Sequence, residues 1–227
     1  MDKAAMTKFT AGLTAAIGLL LCGIAQAQQA GTFSASIGVT HIAPAVDSGN
    51  LSAPSLPNSR IDVDSDSQVT GALNYMLTDQ IGLHLPLGFG FKHKVSGAGA
   101  IAGVGTVADT RALPITLIAQ YRFLEANARL RPYVGAGPTF VKFYRERGTG
   151  VLTALTDPGG PGTSVSFESK LAPTVQLGAS YRFSERFYID ASYCKTFLKT
   201  RSSLSTGQTL DVTLNPSAFS LQVGVRF

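Results

Sequence analysis

Several residue types that define common protein classes are scarce in this chain of 227 residues. It has 2 Cys and no Trp, and its charged residues make up 15%, against about 25% in an ordinary soluble domain. Cys22 falls in the apolar N-terminal run, so Cys194 is the single cysteine of the remaining sequence, which excludes a disulfide framework. A hydrophobic content of 44% excludes a disordered chain.

Long apolar runs are also missing, except at the N-terminus. Residues 11–24 are almost all small or apolar, they follow a start that carries two lysines, and Ala25 and Ala27 form an A-x-A exit. This pattern predicts a cleaved secretory signal over residues 1–27 and a mature domain over residues 28–227. Since no later run approaches the roughly 20 apolar residues of a membrane helix, a helical membrane protein is excluded. A soluble exported domain and a closed outer-membrane barrel remain.

The chain is rich in alternation with a period of two. From Ser217 to Phe227, for example, every second residue is apolar and the residues between them are polar or small, as in a strand with one apolar face. Eight segments can be interpreted as such strands: 33–40, 68–77, 81–94, 113–123, 129–144, 167–183, 187–198 and 217–227. Both faces of 129–144 carry apolar residues, so its orientation stays open.

The connections between these segments alternate in length. Residues 78–80, 124–128 and 184–186 are tight turns, whereas residues 44–60, 96–109, 148–165 and 199–209 form long connections rich in Gly, Pro, Ser and Thr. Such alternation is typical of an up-and-down meander in a membrane. The sequence therefore predicts an all-β fold, an eight-stranded antiparallel transmembrane β-barrel with short periplasmic turns and long extracellular loops.

An aromatic-Arg-Phe or Val-Arg-Phe triplet recurs at the short-turn ends of three predicted strands, in residues 121–123, 181–183 and 225–227. Aromatic side chains concentrate where a membrane meets water. We therefore predict a periplasmic aromatic girdle made of Tyr75, Tyr121, Phe123, Tyr181, Phe183 and Phe227.

The polar phase of the strands predicts a plugged lumen. An eight-stranded barrel is about filled by its own side chains, and enclosed polar groups have to bond to one another. The predicted plug of the lower barrel consists of Gln120, Arg122, Glu168, Lys170, Gln176, Arg182, Asp190 and Arg226. Such a plug argues against a general porin.

Two prolines fall inside predicted strands, where each removes a donor from the hydrogen-bond ladder. If the third and fourth strands fold about Ala100, then Pro86 and Pro114 lie roughly opposite each other. One hypothesis is a weakened wall, at which an apolar solute leaves the lumen sideways into the bilayer. A bulge that only bends the strands explains the same residues equally well.

Other chemistries lack their motifs. His41, His84 and His93 show no metal-ligand spacing, and no glycine cluster ends in Gly-Lys-Ser/Thr, so neither a metal nor a cofactor is predicted. No G-x-S-x-G motif supports an enzyme. The basic residues are dispersed, which argues against nucleic acid and favours anionic lipid head groups and lipopolysaccharide as partners.

Several runs together resemble the OmpW family of eight-stranded outer-membrane proteins. They are GVTHIAP at 38–44, YMLTDQIGL at 75–83, FKHKV at 91–95, LP at 113–114, AQY at 119–121 and RPYVGAG at 131–137. The resemblance implies a barrel in the outer membrane of a Gram-negative bacterium, associated with passage of small hydrophobic compounds, alkanes among them. The terminal Phe227 on an alternating strand is similar to the signal that the barrel-assembly machinery reads. The absence of Trp departs from the family pattern and leaves the girdle to Tyr and Phe.

We expect a non-enzymatic barrel that passes small hydrophobic molecules, with solute entering between the long loops. The alternative is a structural or adhesive barrel whose loops bind surface partners. A third class, a soluble ligand-binding barrel, would need its apolar face turned inward.

Overall fold

The structure is a computed structural model that describes residues 29–227. The predicted signal, with Ala25 and Ala27 at its exit, lies outside the described residues. No helix within residues 29–227 is long and apolar enough to cross a bilayer. The strands are β1 (Phe33–Ala43), β2 (Asp47–Ser48), β3 (Ser59–Val63), β4 (Asp66–Met76), β5 (Ile81–Leu87), β6 (Phe91–Gly99), β7 (Thr106–Thr116), β8 (Ile118–Arg122), β9 (Leu130–Gly148), β10 (Val165–Phe167), β11 (Lys170–Arg182), β12 (Phe187–Thr196), β13 (Lys199–Leu204), β14 (Thr209–Thr213) and β15 (Ser217–Arg226), and a short helix, α1, spans Gly150–Thr156.

Eight antiparallel wall strands close into a barrel. Near the short turns the order is β11–β12–β15–β1–β4–β5–β8–β9, and β9 pairs back to β11 from Lys170↔Val141 to Tyr181↔Leu130. We call β5 with β6 wall strand 3, and β7 with β8 wall strand 4, because each pair continues one strand of the barrel. The predicted eight-stranded antiparallel barrel is confirmed.

The two ends of the barrel differ. The turn end holds residues 77–80, 123–129 and 183–186, and the last residue returns there, since the Phe227 N–H donates to the Phe33 carbonyl at 2.8 Å. At the opposite, loop end, segments expected to be irregular are partly strands. Residues 96–109 extend the β6–β7 hairpin, and residues 199–209 belong mostly to the β13–β14 hairpin.

A second sheet, β10–β13–β14–β2, stands on the loop end, and we call it the cap sheet. Its hairpin is pinned on the outside by Arg201, whose Nε and Nη2 donate to the two carboxylate oxygens of Asp211 at 2.7 and 3.1 Å. This bond lowers the pKa of the Asp211 carboxyl below its ordinary value. Both side chains are exposed, so the pair contributes little to stability.

The distribution of apolar side chains is inverted relative to a soluble domain. Large apolar residues cover the outside of the wall, with Ile37 64% and Leu221 61% exposed, whereas many of the buried side chains are polar. Buried apolar clusters occur toward the loop end, around Val95 and Leu152 and around Val141 and Phe143. The lumen is therefore apolar in its loop half and polar in its turn half.

This division explains why the faces of the fifth wall strand could not be assigned. In β9, Tyr133, Val141 and Phe143 are buried in the lumen, whereas Val134 and Phe140 are exposed outside. Both phases are apolar because the strand passes from the polar half of the lumen into the apolar half.

Candidate functional site in the barrel lumen

A cavity of about 150 Å³ occupies the loop half of the lumen. The hydrophobic side chains that line it come from around the barrel and include Ile42, Val63, Phe91, Val141, Phe143 and Leu198. A space lined by apolar side chains with a few polar groups is the usual form of a small-molecule site. This cavity is the candidate functional site.

Hydroxyl groups line the middle of the cavity in two hydrogen-bonded arcs, which together we call the hydroxyl belt. One arc is Thr116, Thr139, Thr174 and Thr196, with oxygen–oxygen distances of 2.9, 2.6 and 2.8 Å. The other is Ser220, Thr40 and Thr70, with distances of 2.8 and 2.6 Å. Because these hydroxyls bond to one another, the belt presents mostly satisfied groups and threonine methyls to the cavity. The arcs are separated at wall strand 3, which supplies Pro86 and Gly88 to the lining instead of a hydroxyl, and again between Thr196 and Ser220, which share no described hydrogen bond.

The floor of the cavity is a chain of three polar side chains, which we call the amide relay. Arg122 Nη2 donates to Gln120 Oε1 at 2.7 Å, and Gln120 Nε2 donates to Gln176 Oε1 at 2.7 Å. All three residues are buried, and Gln176 lines the cavity. The relay separates the cavity from the turn half of the lumen.

Below the relay the lumen is filled by charged and aromatic groups. Tyr133 Oη donates to Asp190 Oδ1 at 2.7 Å, and the Arg122 guanidinium stacks over the Tyr133 ring at 4.8 Å. On the other side Arg226 lies 5.2 Å from the Tyr188 ring centroid. These groups fill the turn half with side chains and close it below the cavity.

The predicted plug residues divide into three groups. Gln120, Arg122, Gln176, Asp190 and Arg226 are buried in the lumen. Arg182 is half-buried at the turn end and donates to the Asn127 carbonyl.

The placement of Glu168 and Lys170 in the lower plug was wrong. They form an ion pair of 2.6 Å with side chains 54% and 41% exposed, in the loop half. Their inward placement was predicted from strand alternation, which is interrupted between β10 and β11. Alternation therefore did not show at which height along the barrel axis these two residues lie.

The wall has an interrupted ladder beside the cavity. Wall strands 3 and 4 pair from Ile81↔Tyr121 to His84↔Ile118, and pairing resumes at Phe91↔Ala112. Between these points, residues 85–90 and 113–117 have no ladder partner in each other among the described pairs, although both strands keep their other neighbours. The residues of this interval form what we call the wall gap.

The sequence of wall strand 3 changes phase in the wall gap. Phe91 was expected on the same face as Phe89, but Phe91 is 3% exposed and lines the cavity, whereas Phe89 is 80% exposed. Residues Gly88–Gly90 lie between β5 and β6, so the alternation restarts with the opposite phase after them. A single continuous strand over 81–94 was therefore wrong.

Pro86 and Pro114 both lie in the wall gap and both line the cavity. They are staggered and not opposite each other, because the register below the gap continues Pro86 toward Thr116. The hairpin does not fold about Ala100, since its pairs, from Phe91↔Ala112 to Ser96↔Thr106, centre on residues 101–102.

The predicted girdle residues lie on the outside of the turn end. Tyr75, Tyr121, Phe123, Tyr181 and Phe183 are exposed, and the half-buried Phe227 ring lies 6.4 Å from that of Phe33. Tyr121 and Phe123 contact each other edge to face at 5.2 Å.

The hydroxyl belt was not predicted from the sequence, although its signal was present as threonines in the polar phase of several strands.

Comparison with known proteins shows similarity to one family of outer-membrane proteins. The family model described as OmpW family matches residues 29–227. Outer membrane protein W of Salmonella typhi is 31% identical over 227 residues, which cover 98% of this chain and 100% of that protein. The dibenzothiophene metabolism operon protein PahQ of Pseudomonas aeruginosa is 25% identical over 195 residues, 84% of this chain and 86% of that protein.

Solved structures show the same architecture. The crystal structure of outer membrane protein OprG from Pseudomonas aeruginosa superposes with a TM-score of 0.79 at 24% identity, over 89% of this chain and 99% of that one. The solid-state NMR structure of outer membrane protein AlkL in DMPC bilayers superposes with a TM-score of 0.68 at 22% identity, over 88% of this chain and 91% of that one.

Proposed function

This chain belongs to the OmpW family and lies in the outer membrane of a Gram-negative bacterium, and we propose that it passes small hydrophobic molecules through that membrane without chemical conversion. The solute enters at the loop end, occupies the luminal cavity, and leaves sideways through the wall gap into the bilayer. The observation that carries the proposal is a largely apolar cavity whose lining reaches the outer surface of the barrel at that gap.

The lateral exit is supported by two side chains of the wall gap. Leu87 lies on the same outward face of wall strand 3 as Ile81, and Leu113 on the same outward face of wall strand 4 as Ile115. Both leucines nevertheless line the cavity. A solute in the cavity is thus in contact with side chains that also face the outside, where the hydrogen-bond ladder is interrupted.

The closed turn half supports the same route. A hydrophobic molecule that crossed the floor would have to displace buried, bonded polar groups such as Gln120 and Asp190, at a cost of several kcal/mol. Sideways exit keeps it among apolar groups throughout. The relationship to a protein named for a dibenzothiophene metabolism operon is consistent with an apolar aromatic solute.

The partners follow from the surface. Lipid contacts the apolar outside of the wall, with lipopolysaccharide around the loop half. Phe227, at the end of the alternating β15, is the proposed contact for the barrel-assembly machinery.

The test is uptake of a radiolabelled aromatic hydrocarbon by cells that lack the protein and by the same cells with the protein restored. The proposal requires faster uptake in the restored cells and an unchanged rate for a charged solute of similar size. Equal hydrocarbon uptake in both strains would refute it and would leave an adhesive role as the better explanation.

A further inference from the structure

The Gln176 amide is a buried donor at the floor of the cavity, and its N–H groups have no oxygen acceptor among the described residues. Gln176 is 4% exposed, and its Nε2 has no hydrogen-bond partner among the described residues. Buried amide donors are almost always paired, since an unpaired one has lost its hydrogen bonds to water without replacing them. Its cross-strand neighbour, Cys194, places a thiol within reach of the amide as a hydrogen-bond partner, but a thiol sulfur is only a weak acceptor.

The orientation of this amide is fixed by chemistry. Oxygen and nitrogen of a glutamine side chain are assigned from their partners. Arg122 has only donors, so the atom of Gln120 that it contacts must be the oxygen, and Gln120 therefore gives its nitrogen to Gln176. The atom of Gln176 that receives that bond is then its oxygen, which leaves the Gln176 nitrogen as the free end of the relay.

The relay also strengthens the donor at its end. Hydrogen bonds in a chain polarise one another, and this chain begins at a buried guanidinium. Above Gln176, the belt hydroxyls are largely occupied with one another and the remaining walls are mostly apolar. The cavity therefore combines a wall for an apolar body with one strong N–H donor at its floor.

We infer that the Gln176 Nε2 group binds the polar end of the transported solute, so that the preferred solutes are apolar molecules carrying one uncharged hydrogen-bond acceptor, such as a ketone, an aldehyde or an ester. This inference rests on the proposed function and specifies its substrate class. A plain hydrocarbon that displaces water from the floor leaves the amide unpaired, whereas a carbonyl oxygen replaces the lost bond. A carboxylate is disfavoured because it must lose its hydration to enter the apolar chamber.

The test uses two probes that share an eight-carbon skeleton, octane and 2-octanone. The full-length protein, purified from outer membranes and placed in lipid nanodiscs, is treated with a small uncharged thiol reagent. Cys194 lines the cavity, so an occupant slows its modification, which is followed by the mass of the peptide that contains it. The two probes are compared at equal concentrations in the lipid.

In the unsubstituted protein, 2-octanone should protect Cys194 at a concentration about tenfold lower than octane, the ratio that one well-made hydrogen bond supplies. Gln176→Met keeps the side-chain length but removes the donor. In this variant the two probes should protect Cys194 at similar concentrations. The matched control is Thr110→Val, because within residues 29–227 Thr110 Oγ1 is the other unpaired buried polar atom of a cavity-lining residue, and it lies outside the relay. This variant should keep the tenfold preference.

Equal protection by both probes in the unsubstituted protein overturns the inference, and this comparison needs no variant to fold. A preference that survives Gln176→Met in a folded barrel, or that disappears in Thr110→Val, also overturns it. Absence of protection by either probe overturns the inference as well. If the protein still increases uptake of the aromatic hydrocarbon, the proposed function stands without the inference. If it does not, the proposed function and the inference are both refuted.

Discussion

Leu87 and Leu113 lie on neighbouring wall strands and belong to their outward faces, yet both line the cavity inside the barrel. In a continuous ladder, alternation keeps outward side chains away from the lumen. Here residues 85–90 and 113–117 have no described ladder pair with one another, and these two side chains border both the cavity and the outer surface. This relationship supports the proposed lateral route more directly than the two prolines do.

Restoring backbone donors in the wall gap should slow transport. Pro86→Val combined with Pro114→Val gives each strand back an N–H that can extend the ladder, and we expect uptake of a hydrophobic tracer to fall several-fold. The matched control is Pro138→Val with Pro173→Val, because these prolines face each other in the continuous β9–β11 ladder. Equal uptake in the unsubstituted and gap variants would show that the prolines do not shape the exit.

Filling the cavity should block the same route without changing the outer surface. Ala112 lines the cavity, whereas Ala119 lies on the outward face of wall strand 4. We expect Ala112→Phe to reduce tracer uptake strongly, because a phenyl ring takes up much of a space of about 150 Å³. Ala119→Phe should leave uptake unchanged. Similar rates in both variants would place the solute path outside this cavity.

The barrel architecture was predictable because strands of a membrane barrel alternate between apolar outward residues and polar inward residues. The apolar phase of 217–227 faces outward as predicted, and so do the five exposed girdle residues. The position of Glu168 and Lys170 was not predictable in the same way. Alternation indicates which face of a strand a residue occupies, but it does not indicate the residue's height along the barrel axis when the strand is interrupted.

The site itself was only partly predictable, for two physical reasons. The phase of Phe91 depends on how Gly88–Gly90 are arranged, and a run of glycine around one aromatic residue does not specify that from sequence. The amide relay joins Gln120 of β8 to Gln176 of β11, which do not pair with each other and instead lie on either side of Gly135 in the intervening β9. Sequence placed both glutamines inside but not in contact at one depth.

Close approach of strands should make Gly137 intolerant of a side chain. A Cβ atom at this position would lie 1.9 Å from the Leu117 carbonyl oxygen and 2.9 Å from the Ile118 Cα, both of them backbone atoms. We expect Gly137→Ala to lower the free energy of unfolding by about 1–3 kcal/mol or more, the range for an overpacked site. Gly162→Ala is the control, since nothing lies within 4 Å of its added Cβ.

Urea titration of the refolded barrel in lipid vesicles, followed by circular dichroism, measures both glycine variants. Gly162→Ala should match the unsubstituted protein. Equal stability of the two variants would mean that β8 and β9 move apart easily beside the cavity, contrary to the tight packing described.

A change in the plug distinguishes a lateral path from one through the floor. Asp190 accepts a hydrogen bond from Tyr133 and lies within reach of the charge of Arg122. Asp190→Asn keeps an oxygen acceptor for Tyr133 but places amide N–H donors in the buried turn half beside the Arg122 guanidinium, which has only donors itself, so the free energy of unfolding should fall by about 1–3 kcal/mol. Tyr133→Phe, which deletes the hydroxyl and keeps the carboxylate, is the companion variant.

Tracer uptake by the folded Asp190→Asn barrel should equal that of the unsubstituted protein, because on the proposed route the solute leaves above the amide relay and does not meet Asp190. Uptake is measured at equal amounts of folded protein, taken from heat-modifiable migration on gels. A rise in uptake, accompanied by ion leakage across the membrane, would mean that loosening the turn half opens a vertical path. The lateral route through the wall gap would then lose its main physical argument, which is that the floor is closed.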